Sequence, residues 1–205
     1  MIILVTGTDT GVGKTFFTVN FLRILIKSGK DVTGLKIVET GCNPVCEDAR
    51  KISDVCGMEI PPIYSFKTPV APAVAERLER RQIDVEYIKT KMLNMSKHYE
   101  ILIAEGAGGI MVPISGSYTF LDLAREIADM VFVVALNKLG VINHTLLTVE
   151  VCKYNNIPVR GVFLNNFKAS DVSAETNRET LSYLLDVPVY EFSDSSDFEK
   201  FVDII

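Results

Sequence analysis

Gly7-Thr8-Asp9-Thr10-Gly11-Val12-Gly13-Lys14-Thr15 has the spacing of a loop that holds phosphate: a glycine, four free positions, then Gly-Lys-Thr. Glycines let the backbone curl, so that successive N–H groups point inward onto phosphate oxygens. A helix starting at Lys14 would add the partial positive charge of its N-terminus at the same place. Lys14 then reaches the β- and γ-phosphates, and the Thr15 hydroxyl is offered to Mg²⁺. Three further residues could join that chemistry. Lys36 lies toward the end of the second apolar strand, Glu105 directly follows Ile101-Leu102-Ile103-Ala104, and Asp48 sits in the first turn of a short helical pattern. In phosphate-loop proteins a carboxylate at the end of a neighbouring strand holds Mg²⁺, directly or through water. Each residue also has a plain structural reading. Lys36 could be a snorkelling surface lysine, Glu105 an ordinary member of a Gly-rich turn, and Asp48 a routine helix-start carboxylate. Position favours chemistry for Lys36 and Glu105; on spacing alone, Asp48 is a helix-start residue.

The elements that must position these residues follow from pattern. Ile2-Ile3-Leu4-Val5 is an unbroken apolar run, as in a parallel strand buried on both faces. Residues 14–29 read as a helix with Phe17, Phe21, Leu22, Leu25 and Ile26 on one stripe. Residues 31–38 read as a single strand, 39–45 as irregular, and 47–56 as a short helix. The proline-rich stretch 57–72 reads as a connection in which 65–69 form a loop. Helical patterns follow over 71–78 and from Asp84, a good N-cap, to about Tyr99. Strands over 101–104, 131–136, 158–164 and 188–192 then alternate with helices over 119–128, 143–155, 173–185 and 197–205. Asn143 and Ser173 are the expected N-caps of two of them. The alternation predicts one domain over residues 1–205, an α/β fold with a doubly wound, mostly parallel sheet and helices on both faces. Such sheets bind ligands at their carboxyl edge.

Bulk properties bound the function. The 205 residues suit one domain, and 48% hydrophobic with 23% charged residues describe a soluble, ordered chain. A net charge of −5 argues against a nucleic-acid surface of the usual basic kind. No apolar run approaches the ~20 residues of a membrane helix. A strand starting at Ile2 is expected to leave no room for a signal peptide, which places the protein in the cytoplasm. Cys42, Cys46, Cys56 and Cys152 contain no Cys-x-x-Cys pair, and His98 and His144 lie far from the first three. A zinc site is therefore not expected, and the thiols are read as reduced with no common role.

Five segments, taken together, resemble dethiobiotin synthetase, the ATP-dependent ligase of biotin synthesis. They are Gly7-Thr8-Asp9-Thr10 leading into Gly13-Lys14-Thr15; Gly34-Leu35-Lys36 with Thr40-Gly41; Ser65-Phe66 with Pro69 and Ala71-Pro72; Glu105-Gly106-Ala107-Gly108-Gly109; and Leu139-Gly140 with Ile142-Asn143-His144 and Leu146-Leu147-Thr148. They stand in the family's order and span most of the chain to about residue 165. The phosphate loop alone is common to many ATPases; the other segments are more specific.

The resemblance implies a P-loop NTPase-like fold, ATP as co-substrate, Mg²⁺ and a homodimer. The family joins CO₂, drawn from bicarbonate, to 7,8-diaminononanoate and closes a cyclic urea. One amine forms a carbamate, the carbamate oxygen attacks the γ-phosphate, and the second amine displaces phosphate from the mixed anhydride. By resemblance, Lys14 and Lys36 act around the γ-phosphate and carbamate, and Thr10 contacts substrate or phosphate. Thr15, Asp48 and Glu105 organise Mg²⁺, a role for Asp48 that its spacing did not suggest. Thr10, Gly11, Val12, Gly13, Lys14 and Thr15 hold the nucleotide phosphates, and Asn165 reads the adenine. Thr40, Lys138, Leu139, Gly140 and Asn143 bind the diamine; the N–H groups of residues 139–142 and the Asn143 side chain would hold its carboxylate across the dimer interface. The chain departs from the family pattern at Lys36-Ile37-Val38, which lacks a proline that often follows this lysine, and at Gly11, where some members carry an acidic residue. It departs again at Val189-Tyr190-Glu191-Phe192-Ser193-Asp194. The competing reading is a deviant P-loop switch or partitioning ATPase. Those proteins carry an extra lysine early in the loop, where this chain has Thr8, Asp9 and Thr10. Residues 197–205 also lack the basic face of a membrane-surface helix. A ligase of cobalamin synthesis shares loop and fold but normally comes with a glutaminase domain.

Overall fold

The computed structural model describes residues 1–167 and 172–205. The chain runs β1 (Ile2–Gly7), α1 (Lys14–Lys27), β2 (Val32–Lys36), β3 (Val38–Thr40), α2 (Glu47–Cys56), β4 (Tyr64–Phe66), α3 (Pro72–Glu79) and α4 (Val85–Met95). It continues β5 (Ile101–Gly109), β6 (Pro113–Ser115), β7 (Tyr118–Thr119), α5 (Phe120–Ile127), β8 (Met130–Leu136) and α6 (Val141–Tyr154). It ends β9 (Val159–Asn165), α7 (Ala174–Leu184), β10 (Val189–Phe192) and a 3₁₀ helix (Ser195–Ile204).

Side chains of β1 alternate between two cores: Ile2 and Leu4 join one, Ile3 and Val5 the other. A period of two with both faces apolar is what an interior parallel strand requires. β1 lies inside a six-stranded sheet of order β2-β5-β1-β8-β9-β10, and every pairing in it is parallel. After β1 the chain builds one side of the sheet with β2 and β5, then the other with β8, β9 and β10. The carboxyl end of β1 is therefore a switch point, where open α/β sheets bind ligands. The fold class expected from the sequence is the one observed.

α1, α2 and the C-terminal 3₁₀ helix cover one face through Phe17, Phe21, Ile52, Phe198 and Phe201. α3 to α7 cover the other through Ala75, Ile88, Phe120, Val149 and Leu181. The first face is an aromatic cluster. Phe17 lies 4.4 Å from Phe163 between ring centroids, and Phe198 lies 5.3 Å from both Phe192 and Phe201. Such pairs contribute about 0.5–1.5 kcal/mol each beyond the area they bury, and here they fasten the C-terminal helix to the sheet. Gly34 lets α1 and α2 close on β2, because a Cβ there would lie 2.5 Å from Leu22 and 2.6 Å from Ile52. No helix among the described residues is long and apolar enough to cross a membrane.

The structure corrects several boundaries. The expected strand over 31–38 is two strands. β2 ends at Lys36, and β3 leaves the main sheet to pair in parallel with β4, Thr40 opposite Phe66. Residues 64–66, within the stretch read as connection and loop, are therefore a strand. Their pairing partner is 26 residues away in sequence, beyond the reach of local turn signals. Residues 113–115 and 118–119 form a small antiparallel ladder that the sequence did not suggest. The helix expected from about Asn143 starts at Val141 with Gly140 as N-cap, at φ 91°. Asn143 is thus inside the first turn and is not the N-cap. The reading of Cys42 and Cys46 as reduced thiols is also overturned: they form a disulfide, with Cα atoms 4.5 Å apart. The loop after β3 doubles back on itself, which brings Cys42 beside Cys46, the N-cap of α2. Cys56 and Cys152 are free.

Candidate active site

The phosphate loop joins β1 to α1 as the sequence required. Gly13 is the N-cap of α1 at φ 99°, a left-handed conformation that favours glycine. A Cβ at Gly13 would also lie 2.3 Å from Nδ2 of Asn165. That amide donates to the Val12 carbonyl at 3.0 Å, while its Oδ1 accepts from the Phe167 N–H at 2.9 Å. The end of β9 is thereby clamped to the outside of the loop. Inside, Lys14 is buried, and its Nζ donates to the Asp9 carbonyl at 2.9 Å. Burial and then the charge of Lys36 push the Lys14 ammonium down to about 8.

Lys36 and Glu105 are register partners in the β2–β5 ladder, and Glu105 is also opposite Val5 of β1. Lys36 ends β2, whereas β5 does not stop at Ala104 as expected but runs through Glu105 to Gly109. The last register pair of the β2–β5 ladder thus delivers both side chains to the edge where the loop begins. Lys36 Nζ donates to Glu105 Oε1 at 2.5 Å and to Asp48 Oδ2 at 2.7 Å. Thr15 Oγ1 donates to the same Glu105 oxygen at 2.8 Å. Burial opposes the charge on Lys36, but Glu105 and Asp48 outweigh it and raise its affinity for the proton. Asp48 responds in the opposite sense: burial works against its charge, yet Lys36 holds its carboxyl below the usual range.

Thr15, Asp48 and Glu105 present only oxygen atoms, the donor type Mg²⁺ prefers. Glu105 is fully buried, and its Oε2 has no hydrogen-bond partner among the described residues. A buried carboxylate oxygen without a partner is costly. These residues therefore fit a bound Mg²⁺, which supplies positive charge against the phosphate oxygens when present.

A cavity of about 500 Å³ opens on this cluster. It brings together Thr10, Gly11, Gly13, Lys14, Thr15, Lys36, Thr40, Asp48 and Glu105, all singled out from the sequence. Its far wall, which the sequence did not reveal, comes from Val38, residues 69–72 and Val112. Glu39 was also missed. Its two carboxylate oxygens accept the N–H groups of Asp48 and Ala49 at 2.8 and 2.9 Å. It thus caps α2 from another element and sets where Asp48 stands. An acidic residue beside Thr40 at a strand end was the available signal, hidden by reading 39–45 as irregular. Val12 is a core residue and does not line the cavity, and Asn165 lies behind the loop. Lys138, Leu139, Gly140 and Asn143 are exposed at the start of α6 and do not line the cavity of this chain.

A family model described as an AAA domain matches residues 2–190. The chain is 40% identical over 207 aligned positions to the ATP-dependent dethiobiotin synthetase BioD of Aquifex aeolicus (strain VF5), covering 100% of this chain and 94% of that protein. It is 36% identical over 204 positions to the enzyme of the same name from Thermodesulfovibrio yellowstonii, covering 90% and 84%. Among solved structures it is similar to cobyrinic acid a,c-diamide synthase from Mycobacterium smegmatis with bound ATP analogue and magnesium. That likeness has a TM-score of 0.62 at 13% identity and covers 98% of this chain and 92% of that one. A plasmid partition protein from Borrelia burgdorferi B31 bound to AMPPNP gives a TM-score of 0.62 at 11% identity, covering 99% and 96%. These two likenesses show the fold. Identity along nearly the whole of two synthetases shows more: the chain belongs to the ATP-dependent dethiobiotin synthetase family.

Proposed function

We propose that the protein is an ATP- and Mg²⁺-dependent ligase that carboxylates 7,8-diaminononanoate and closes it to dethiobiotin. The observation that carries this reading is the placement of two lysines, Lys14 and Lys36, in one cavity lined also by the phosphate loop and Thr40. The attacking carbamate and the γ-phosphate are both anionic, so their approach needs fixed cations and oriented donors. The first amine adds to CO₂ and loses a proton, giving the carbamate. The carbamate oxygen then forms a bond to the γ-phosphorus as the bond to ADP breaks. Finally the second amine adds to the carbamoyl carbon and loses a proton, and phosphate leaves.

In this account the loop N–H groups and Lys14 hold the β- and γ-phosphates. Lys36 offsets the charge shared by carbamate and transferring phosphoryl group. Thr10 and Thr40 donate to substrate oxygens, Thr15, Asp48 and Glu105 would hold Mg²⁺, and Asn165 lies toward the base. Residues 138–143 serve a second copy of the chain, whose cavity they complete in a homodimer. The exposure of Lys138, Leu139, Gly140 and Asn143 around a helix N-terminus suits the substrate carboxylate. A partitioning ATPase is supported at the level of fold alone.

Phosphate release from ATP, Mg²⁺ and bicarbonate tests the reading, measured with and without the diamine. The diamine is expected to stimulate release, and Asn143→Ala to raise its KM by about tenfold, the loss of one charge-assisted hydrogen bond. Release indifferent to the diamine would overturn the proposed activity; an active, strictly monomeric enzyme would overturn the shared site alone.

A further inference from the structure

We propose that the Lys36 ammonium is a resident counterion in the place Mg²⁺ takes, and that metal and nucleotide together move it onto the phosphates. This rests on the reading of Thr15, Asp48 and Glu105 as metal-holding residues, but not on the identity of the acceptor. Lys36 Nζ touches Glu105 and Asp48 at 2.5 and 2.7 Å, and Thr15 shares the same Glu105 oxygen. The ammonium thus stands among the oxygens that suit a divalent cation. Lys14, Lys36, Asp48 and Glu105 line the cavity with two basic and two acidic side chains, and Glu39 adds a third carboxylate. That third carboxylate is occupied in capping α2.

Metal binding there places a second cation on carboxylates that already hold the Lys36 ammonium. Oε2 of Glu105 has no partner among the described residues while the ammonium holds Oε1, so a divalent cation there shares one carboxylate with Lys36. The two cations repel, which loosens the hold of the ammonium. Its side chain is 4% exposed, so a swing within the cavity brings it toward Lys14, another cation. Without nucleotide nothing there receives it. Phosphates on the loop supply that acceptor, and the four-carbon lysine stem has the freedom to reach it. The same displacement that admits the metal delivers Lys36 to the transferring group. Nucleotide-free protein should therefore hold divalent metal weakly, and the coupling between metal and nucleotide is reciprocal.

The test uses Mn²⁺ as an oxygen-seeking divalent probe, titrated into nucleotide-free protein and followed by electron paramagnetic resonance. Lys36→Met, which keeps length and removes charge, is expected to bind Mn²⁺ about tenfold or more tightly than wild type. Lys36→Arg, which keeps the charge, should bind as weakly as wild type. Equal or weaker Mn²⁺ binding by a folded Lys36→Met protein overturns the proposal. A second measurement needs no variant: the side-chain nuclear magnetic resonance signal of Lys36 in the wild-type protein. It is expected to shift with Mg²⁺ plus a non-hydrolysable ATP analogue and to stay in place with Mg²⁺ alone. A signal that stays in place with both ligands also overturns it. Neither readout involves the diamine, so failure here is distinct from failure of the proposed reaction.

Discussion

Lys36→Ala is expected to lower turnover by about 10²–10³-fold while weakening ATP binding by less than about tenfold. The expectation follows from where the charge is needed. In the proposed reaction the loop N–H groups and Lys14, whose Nζ donates to the Asp9 carbonyl, would hold the phosphates before transfer. Lys36 enters from a different strand, β2, and lines the same cavity as Thr40. Its contribution grows as negative charge gathers on the oxygens passing between carbamate and γ-phosphate. A group whose interaction strengthens in the transition state lowers turnover when lost, and leaves ground-state affinity nearly intact. Rapid-quench turnover and nucleotide titration, measured on the same preparation, check the split. Loss of ATP binding with normal turnover of bound nucleotide would contradict this role.

Glu105→Ala should destabilise the protein by about 3–5 kcal/mol. Glu105 has no exposed side-chain surface and Lys36 only 4%, whereas Asp48, the remaining partner, is 33% exposed. Removing Glu105 leaves an ammonium in the interior facing one half-solvated carboxylate. For a chain of this size such a loss corresponds to a fall in Tm of roughly 6–20 °C. The double change Glu105→Leu with Lys36→Met should recover much of the loss, because an apolar pair leaves no buried charge unpaired. Thermal unfolding of the two singles and the double, without metal or nucleotide, gives the comparison. A Glu105→Ala protein as stable as wild type would mean that the ion pair is not buried in solution.

The nature of each signal explains what was legible in the sequence. The loop, β1 and α1 are contiguous, so spacing and apolar pattern together specify them. Lys36 was legible as a strand end and Glu105 as the first polar residue after an apolar run, but the continuation of β5 through Glu105 to Gly109 was not, because its glycines read as a turn. Asp48 was not legible from its own surroundings. Its position depends on Glu39, whose carboxylate reaches α2 from β3, a contact with no local signature. The β3–β4 pairing and the 69–72 wall were hidden for the same reason, because proline-rich sequence specifies turns but not what they pack against. The disulfide escaped a reading based on Cys-x-x-Cys spacing, since Cys42 and Cys46 are joined by a fold-back of the loop. Asn165 was marked for the base, and its side chain proves to be tied to Val12 and Phe167, so it also braces the phosphate loop.

The central claim is that this cavity joins a phosphoryl donor to a carbamate. It is tested most directly by giving the purified protein ATP, Mg²⁺, 7,8-diaminononanoate and carbon-13 bicarbonate, and analysing the products by mass spectrometry. The expected product is a cyclic urea carrying the label at its carbonyl carbon, formed in step with ADP and phosphate. ATP hydrolysed to ADP with the diamine recovered unchanged would contradict it.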